Sequence, residues 1–127
     1  MNLLLDTHAM LWFLQGNSRL PKIIRELVVD VENNCFVSIA SLWEITVKAS
    51  LGKLSLKRDL KDIYELLSEN EIQPIPIRYA HLQQLIGLKF IHRDPFDRLI
   101  IAQANVEQLT IITKDRRFEE YGVEIRW

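Results

Sequence analysis

HRDPFDRLIIAQA, residues 92–104, is the stretch from which the fold of this chain can be worked out. Asp94 suits a helix N-cap, because its carboxylate accepts hydrogen bonds from backbone N–H groups that the first turn leaves free. Pro95 has no N–H to lose, and Asp97 falls in the first turn, where the helix dipole favours negative charge. The residues that follow predict a helix buried on nearly every side: Leu99, Ile100, Ile101, Ala102 and Ala104.

Three further segments place an acid at a comparable point of the chain. They are LLLDTHA with Asp6, SIASLWE with Glu44, and IITKDRRF with Asp115. Short apolar or β-rich runs predict five strands, at residues 2–6, 35–39, 72–77, 109–113 and 123–127. Pro74 and Pro76 cannot donate to a ladder, so the third strand is expected at a sheet edge.

Helices are predicted between the strands, which implies an α/β fold with a parallel sheet and helices on both faces. In such a sheet the carboxyl ends of the strands share one edge, where ligands bind. Asp6, Glu44 and Asp115 are therefore expected at that edge. Asp97 joins them only if its helix begins there, which the spacing does not prove.

Helical spacing also predicts which side chains face the core. Two amphipathic helices are expected to turn inward the following residues: Leu20, Ile23, Ile24, Leu27, Val28 and Val31 in the first, and Leu60, Ile63, Tyr64 and Leu67 in the second. Ser41 and Glu44 have the spacing of a capping box. Leu11, Trp12, Phe13, Leu14 and Trp43 are too many bulky groups for one helix to bury, which predicts an apolar patch for a partner, with complete burial as the alternative.

The 127 residues suit one domain, residues 1–127. The net charge is -1 and no basic block is present, which argues against a protein that binds nucleic acid by charge alone. Cys35 is the only cysteine and lies in an apolar run, so an inert core thiol is expected. The apolar run before Asp6 is too short for a signal peptide, and no run approaches the ~20 residues of a membrane span. We therefore expect a cytoplasmic protein without a membrane segment.

Each acid could instead have a purely structural role at the start of a helix. Capping does not require charge, however, because Ser and Asn cap about as well as Asp. Four carboxylates in one crevice would repel and resist ionisation. A hard divalent cation removes that cost, and ligation by oxygen alone favours Mg²⁺ or Mn²⁺ over zinc. His8, His81 and His92 are scattered, and each is expected to pack or hydrogen-bond rather than to bind metal.

A carboxylate-held Mg²⁺ can polarise a phosphoryl oxygen and acidify a bound water, as phosphodiester hydrolysis requires. Cations beside the acids are candidates for contacts with a phosphate backbone: Lys48, Arg93, Arg98, Lys114 and Arg116. Solvation or ion pairing is the alternative for each of them. Lys48, for example, follows Glu44 at the spacing of a helical salt bridge.

Four stretches together resemble successive motifs of the PIN-domain nucleases, and most closely the VapC-type toxin ribonucleases. They are LLLDTHAMLWFL, SIASLWEITVKASLGKL, HRDPFDRLIIAQA and TIITKDRRFEEYGVEIRW, and they span essentially the whole chain. The resemblance implies a three-layer α/β/α fold with a central parallel sheet of about four to five strands. It also implies Mg²⁺- or Mn²⁺-dependent endoribonuclease activity, a homodimer, and inhibition by a small antitoxin.

Transferred by motif, the family's acidic site falls on Asp6, Glu44, Asp97 and Asp115. Asp94 belongs to the DPFD variant of the motif, and Ser38 and Thr113 are polar neighbours suited to orienting ligands. Two other functions remain open from the sequence. One is an acidic-pocket phosphatase or receiver, although His8 stands where a phosphatase usually has its second Asp. The other is a non-catalytic domain that binds a partner.

Overall fold

A computed structural model describes residues 1–55 and 58–127 of the chain. The strands are β1 (Asn2–Leu5), β2 (Asn34–Ser38), β3 (Ile72–Ile75), β4 (Thr110–Ile112) and β5 (Ile125–Arg126). The helices are α1 (Thr7–Gln15), α2 (Lys22–Val29), α3 (Ile39–Ser50), α4 (Leu60–Glu69), α5 (Tyr79–Ile86) and α6 (Pro95–Glu107), with a 3-10 helix at Arg116–Tyr121. None of the helices in these ranges has the length and apolar character needed to cross a membrane.

All five strands run parallel in the order β3-β2-β1-β4-β5. The predicted edge position of the third strand is confirmed. Chain order proceeds outward from β1 through β2 to β3, and then returns to the other side of β1 for β4 and β5. The strand order therefore reverses between β1 and β4, and this point of a parallel sheet opens a crevice at the carboxyl edge.

The sheet lies between two apolar layers, because successive side chains of a strand point to opposite faces. Leu3 and Leu5 pack with α1, α2, α3 and α4, whereas Leu4 packs with α6 and Phe118 on the opposite face. Both layers are shielded from solvent at the sheet, since these three leucines are fully buried. The expected three-layer α/β/α architecture with a central parallel sheet is confirmed.

The start of α6 follows the local prediction. Asp94 is the N-cap, its carboxylate accepts the Asp97 N–H at 2.9 Å, and Pro95 occupies the first turn. The helix body is buried from Leu99 to Ala104. Because α6 leads into the amino end of β4, its own first turn lies at the carboxyl edge of the sheet, where Asp97 was required to be.

Three local predictions are wrong. Ile23 and Val31 of the first stripe are 65% and 88% exposed, and Leu60 and Tyr64 of the second are 42% and 56% exposed. Helical spacing identifies an apolar face, but it does not tell how much of that face a neighbouring element covers. The capping box at Ser41 is also absent, because Ser38 caps α3 and the helix begins earlier than expected.

Bulky side chains divide between core and surface differently from the prediction. Phe13 is buried, and Leu11, Trp12 and Leu14 are partly buried against the same core. Trp43 is 54% exposed. It lines an apolar groove between α3 and α4, which we call the α3–α4 groove, together with Ile39, Leu42, Leu60 and Tyr64. The patch therefore exists at Trp43, but α4 rather than α1 completes it.

Candidate metal centre

Asp6 and Asp115 are linked through the hydroxyl group of Thr113. Asp6 follows β1, and its backbone N–H donates to the Ile112 carbonyl of β4 at 3.0 Å. The Thr113 hydroxyl donates to Asp6 Oδ2 at 2.6 Å and accepts the Asp115 N–H at 3.0 Å. Asp6 Oδ1 also accepts the Ala9 N–H at 2.8 Å and so caps α1. Asp6 is thus both a helix cap and a member of the crevice.

Glu44 enters the crevice from the second turn of α3. Its Oε1 accepts the Thr7 hydroxyl at 2.7 Å, and its Oε2 lies 2.5 Å from Lys48 Nζ. The Glu44 side chain is 6% exposed and that of Lys48 is 42% exposed, so the pair joins a buried acid to a partly exposed lysine. The hydrogen bond that Lys48 donates to Glu44 raises the pKa of Lys48 and keeps the ammonium charged.

Asp97 and Asp115 meet at the imidazole of His92. His92 Nε2 is 3.2 Å from Asp97 Oδ2 and 3.0 Å from Asp115 Oδ2. One ligand atom of each of these three residues lies within 4.8 Å of the others. Asp6 and Glu44 are outside this tight group, but both raise the pKa of Asp97 through their charges.

The hydrogen bonds of His92 fix the direction in which its ring acts. Nδ1 accepts the Asp94 N–H at 3.2 Å, so in the neutral imidazole the proton is on Nε2. Nε2–H then donates to Asp97 or Asp115. The ring is 3% exposed and packs edge-on against Phe118. His92 is therefore a hydrogen-bonding residue of the crevice.

Burial and like charge act together on the acids. Burial raises the pKa of Asp97 from 3.8 to about 7, with further contributions from the charges of Asp94, Asp6, Glu44 and Asp115. Burial also raises the pKa of Asp6, against the hydrogen bonds from Thr113 and Ala9. Ionisation of Asp6 and Asp97 is therefore unfavourable here, as it is for buried carboxylates that lack a neutralising cation.

Asp115 is different because a guanidinium group neutralises it. Arg117 Nε lies 3.0 Å from Asp115 Oδ1, and Arg117 Nη2 lies 2.7 Å from Asp115 Oδ2. This hydrogen bonding lowers the pKa of Asp115 to about 2. Arg117 is not among the cations predicted from the sequence, because a spacing of two residues has no fixed meaning in a turn.

The structure separates the candidate cations for substrate. Lys48 is paired with Glu44, and Arg116 Nη2 lies 2.9 Å from Glu119 Oε1. Arg93 and Lys114 are exposed, and Lys114 lines a cavity together with Asp6, Asp97 and Asp115. Arg98 is a correction, since it is 8% exposed and donates to the Lys89 and His92 carbonyl oxygens at 2.9 and 3.4 Å. It holds the loop before α6 and cannot contact a phosphate backbone.

The secondary candidates also have defined roles. Asp94 caps α6 and contributes to the raised pKa of Asp97. Ser38 is fully buried, and its hydroxyl accepts the Ala40 N–H at 2.9 Å, so it caps α3 rather than orienting an acid. Thr113 has the orienting position expected for it, between Asp6 and Asp115.

The domain is thus a three-layer α/β/α protein with an acidic crevice at the point where the strand order of its sheet reverses. A family model described as the PIN domain matches residues 3–124. The chain belongs to the PIN-domain family, and the resemblance seen in its motifs is confirmed. Membership of this family leaves the phosphatase and receiver alternatives without support. No curated relative matches the chain by sequence.

Solved structures show the same fold at low sequence identity. VapBC of Salmonella typhimurium bound to DNA superposes with a TM-score of 0.70 at 18% identity, covering 99% of this chain and 97% of that chain. VapBC2 of Rickettsia felis bound to a promoter DNA fragment gives 0.69 at 16%, covering 99% and 98%. FitAcB of Neisseria gonorrhoeae gives 0.66 at 18%, covering 97% and 95%.

Proposed function

We propose that this protein is a metal-dependent endoribonuclease, the VapC-type toxin of a toxin–antitoxin pair. The observation that carries the proposal is the environment of Asp97, whose pKa burial and four neighbouring carboxylates raise to about 7. Such a cluster has a structural cost that a bound cation offsets. Membership of the PIN-domain family and the fold shared with VapBC and FitAB structures support the same assignment.

Asp6, Glu44, Asp97 and Asp115 would hold the metal ion. All four offer carboxylate oxygen, which suits Mg²⁺ or Mn²⁺. The Nε2–H of His92 points at two of the carboxylates as a donor, so the imidazole adds no nitrogen ligand in this tautomer. When bound, the cation would polarise a phosphoryl oxygen and lower the pKa of the attacking water.

The chain's own residues prepare this site by fixing the acids. Thr113 holds Asp6 and orders the Asp115 backbone, and His92 holds Asp97 and Asp115 at a common point. Thr7 orients Glu44 from the start of α1. Arg93 is exposed and follows His92 in the chain, and Lys114 is exposed in the cavity lining. Both are suited to phosphate contacts with RNA.

Incubation with a panel of structured RNAs tests this function. We expect discrete internal cuts with Mg²⁺ or Mn²⁺ and none with EDTA. Asp97→Asn should remove the cuts, whereas Tyr79→Ala, at a side chain that is 75% exposed on α5, should cut as wild type does. Cutting that persists in EDTA would contradict the metal site. The absence of cutting with every metal, together with tight binding of a protein partner, would favour the non-catalytic alternative.

The α3–α4 groove supports the second half of the proposal, a small antitoxin as partner. Ile39, Trp43, Leu60 and Tyr64 expose 39%, 54%, 42% and 56% of their surfaces there. An apolar patch of this kind is costly unless a partner covers it. We expect Tyr64→Asp to weaken antitoxin binding in a co-purification assay while RNA cleavage persists. Light scattering of the free toxin tests the expected homodimer.

A further inference from the structure

A cavity of about 380 Å³ opens beside the acidic crevice. Its lining contains three of the acids, Asp6, Asp97 and Asp115. It also contains aromatic and cationic side chains: His8, Trp12, Lys114, Arg117 and Trp127. The volume falls in the ordinary range of small-molecule sites. A nucleoside next to a phosphodiester that reacts at the acids would lie within reach of these aromatic side chains.

The aromatic side chains of the cavity pack against one another. The Trp12 and Trp127 rings have centroids 5.9 Å apart at an interplanar angle of 58°, and His8 lies 5.7 Å from Trp12 on the same helix. Trp12 is partly buried against the core, so it holds the cluster in place. Trp127 remains 36% exposed and lines the cavity.

We propose that Trp127, supported by Trp12, stacks one unpaired RNA base beside the phosphodiester to be cut. The proposal rests on the ribonuclease function and names the residue that would position the RNA beside the acids. A base within a duplex has both faces covered by its neighbours, so only an unstacked base can lie against an indole.

The cationic side chains of the cavity lining, Lys114 and Arg117, suit an RNA substrate. Lys114 is exposed and immediately follows Thr113, the residue that joins Asp6 to Asp115. Arg117 is already held by Asp115 but keeps 60% of its side chain exposed. A cationic rim around an aromatic face is the usual combination for single-stranded nucleic acid, because phosphates and bases are bound by different groups.

A purely structural reading of the two indoles makes a different prediction. In that reading, Trp127 packs on Trp12 only to attach the end of β5 to α1. Trp127→Leu keeps an apolar side chain for such packing but removes the aromatic face. Stability and RNA binding therefore separate the two readings, and Trp127→Phe supplies the variant that retains a smaller aromatic face.

The experiment measures binding of a short single-stranded RNA in Ca²⁺, with RNA length checked after each measurement. The RNA is used intact and with one base removed at each position in turn. We expect wild type to lose about tenfold in affinity at one position. Trp127→Leu is expected to bind intact RNA about tenfold more weakly and to lose nothing further at that position. Trp127→Phe should keep part of the position dependence.

Tyr79→Ala is the matched control, since Tyr79 is 75% exposed on α5 and should behave as wild type. A fluorescent purine analogue at the sensitive position should be quenched by wild type, which tests stacking even if a Trp127 variant does not fold. The inference is overturned if wild type cuts RNA but shows no sensitive position, or if Trp127→Leu retains full dependence. If wild type neither binds nor cuts any RNA, the proposed function itself fails.

Discussion

Two carboxylates that face the same imidazole have opposite electrostatic environments. Asp97, at the start of α6, is surrounded by four other acids, and burial together with their charges raises its pKa to about 7. Asp115, at the turn after β4, is paired with Arg117, and its pKa falls to about 2. Both lie within hydrogen-bonding distance of His92 Nε2. Burial and neighbouring acids account for the high pKa of Asp97, and the guanidinium group of Arg117 accounts for the low pKa of Asp115.

This contrast distinguishes an acid that already has a counter-charge from one that lacks it. Asp97 is the residue whose ionisation a metal ion would complete, whereas Asp115 is ionised before any metal arrives. A bound cation would thus act mainly on the start of α6. The four predictions below follow from this difference, and each one removes either a charge or the group that joins the two acids.

The largest effect is expected from Asp97→Asn, which should reduce RNA cleavage in Mn²⁺ by more than about a hundredfold. Asn keeps the size and one carbonyl acceptor but removes the charge that holds a hard cation. Gel analysis of cleavage with purified variant and wild type measures the effect. A variant that cuts RNA normally would reduce Asp97 to a helix-start residue and remove the central assignment.

His92 tests whether the link between the two acids matters. In His92→Asn the amide oxygen can still accept the Asp94 N–H, but the shorter side chain cannot reach Asp97 and Asp115. RNA cleavage should therefore fall about ten- to a hundredfold. His92→Gln extends an amide N–H toward the position of Nε2, so it should retain more activity than His92→Asn. Equal activity of the two variants would show that the imidazole serves packing against Phe118 alone.

Metal-free stability should respond to Asp97 in the direction set by its pKa. Asp97 is protonated up to about pH 7 in the folded protein but only up to 3.8 in the unfolded chain. The folded state therefore holds more protons in this window, and its stability falls as pH rises through it. In EDTA, Asp97→Asn should match wild type near pH 4 and gain about 1–2 kcal/mol near pH 8.

Urea unfolding monitored by circular dichroism at both pH values measures this difference. This gain in the free energy of unfolding is smaller than the full pKa shift of Asp97 would give. Solvent screens the partly exposed carboxyl group, and the substitution also loses a dipole interaction at the helix start. A loss of stability at both pH values would identify Asp97 as an acid that stabilises the helix and would remove the evidence for strain.

The smallest effect is expected from Asp94→Asn. Asn caps a helix about as well as Asp, so the variant should keep the hydrogen bond to the Asp97 N–H and lose only about 0.3–1 kcal/mol from the helix dipole. Activity should be reduced but not abolished. The charge of Asp94 makes the largest charge contribution to the raised pKa of Asp97, so its loss should lower that pKa, which NMR titration of the Asp97 carboxyl group can follow. An unchanged pKa would contradict this coupling.

Much of the fold was predictable because its signals are local. The start of α6 required only Asp94, Pro95 and the apolar residues after them, and the five strands followed from short apolar runs between helices. The position of Asp97 became certain only when α6 was seen to run back from the carboxyl edge into β4. That fact belongs to topology, which no single segment of the sequence contains.

The errors share a physical cause, which is that a residue type does not reveal what will cover it. Leu60 and Tyr64 have the spacing of a core stripe, yet they line the α3–α4 groove because no described element packs over them. Arg98 has the appearance of a surface cation, but backbone carbonyl groups from the loop before α6 enclose it. Arg117 was missed for the converse reason, since its importance depends on a turn geometry.

The hydrogen bond from Thr113 to Asp6 joins residues 107 positions apart, and this separation gives the site a place in the folding sequence. Local contacts in α1 or α6 can form early, but pairing of β1 with β4 must wait for nearly the whole domain and carries a high loop-closure cost. A nascent chain that still lacks β4 has its first acid but no partner to hold it. The proposed nuclease activity would then arise late, only after most of the described domain had left the ribosome.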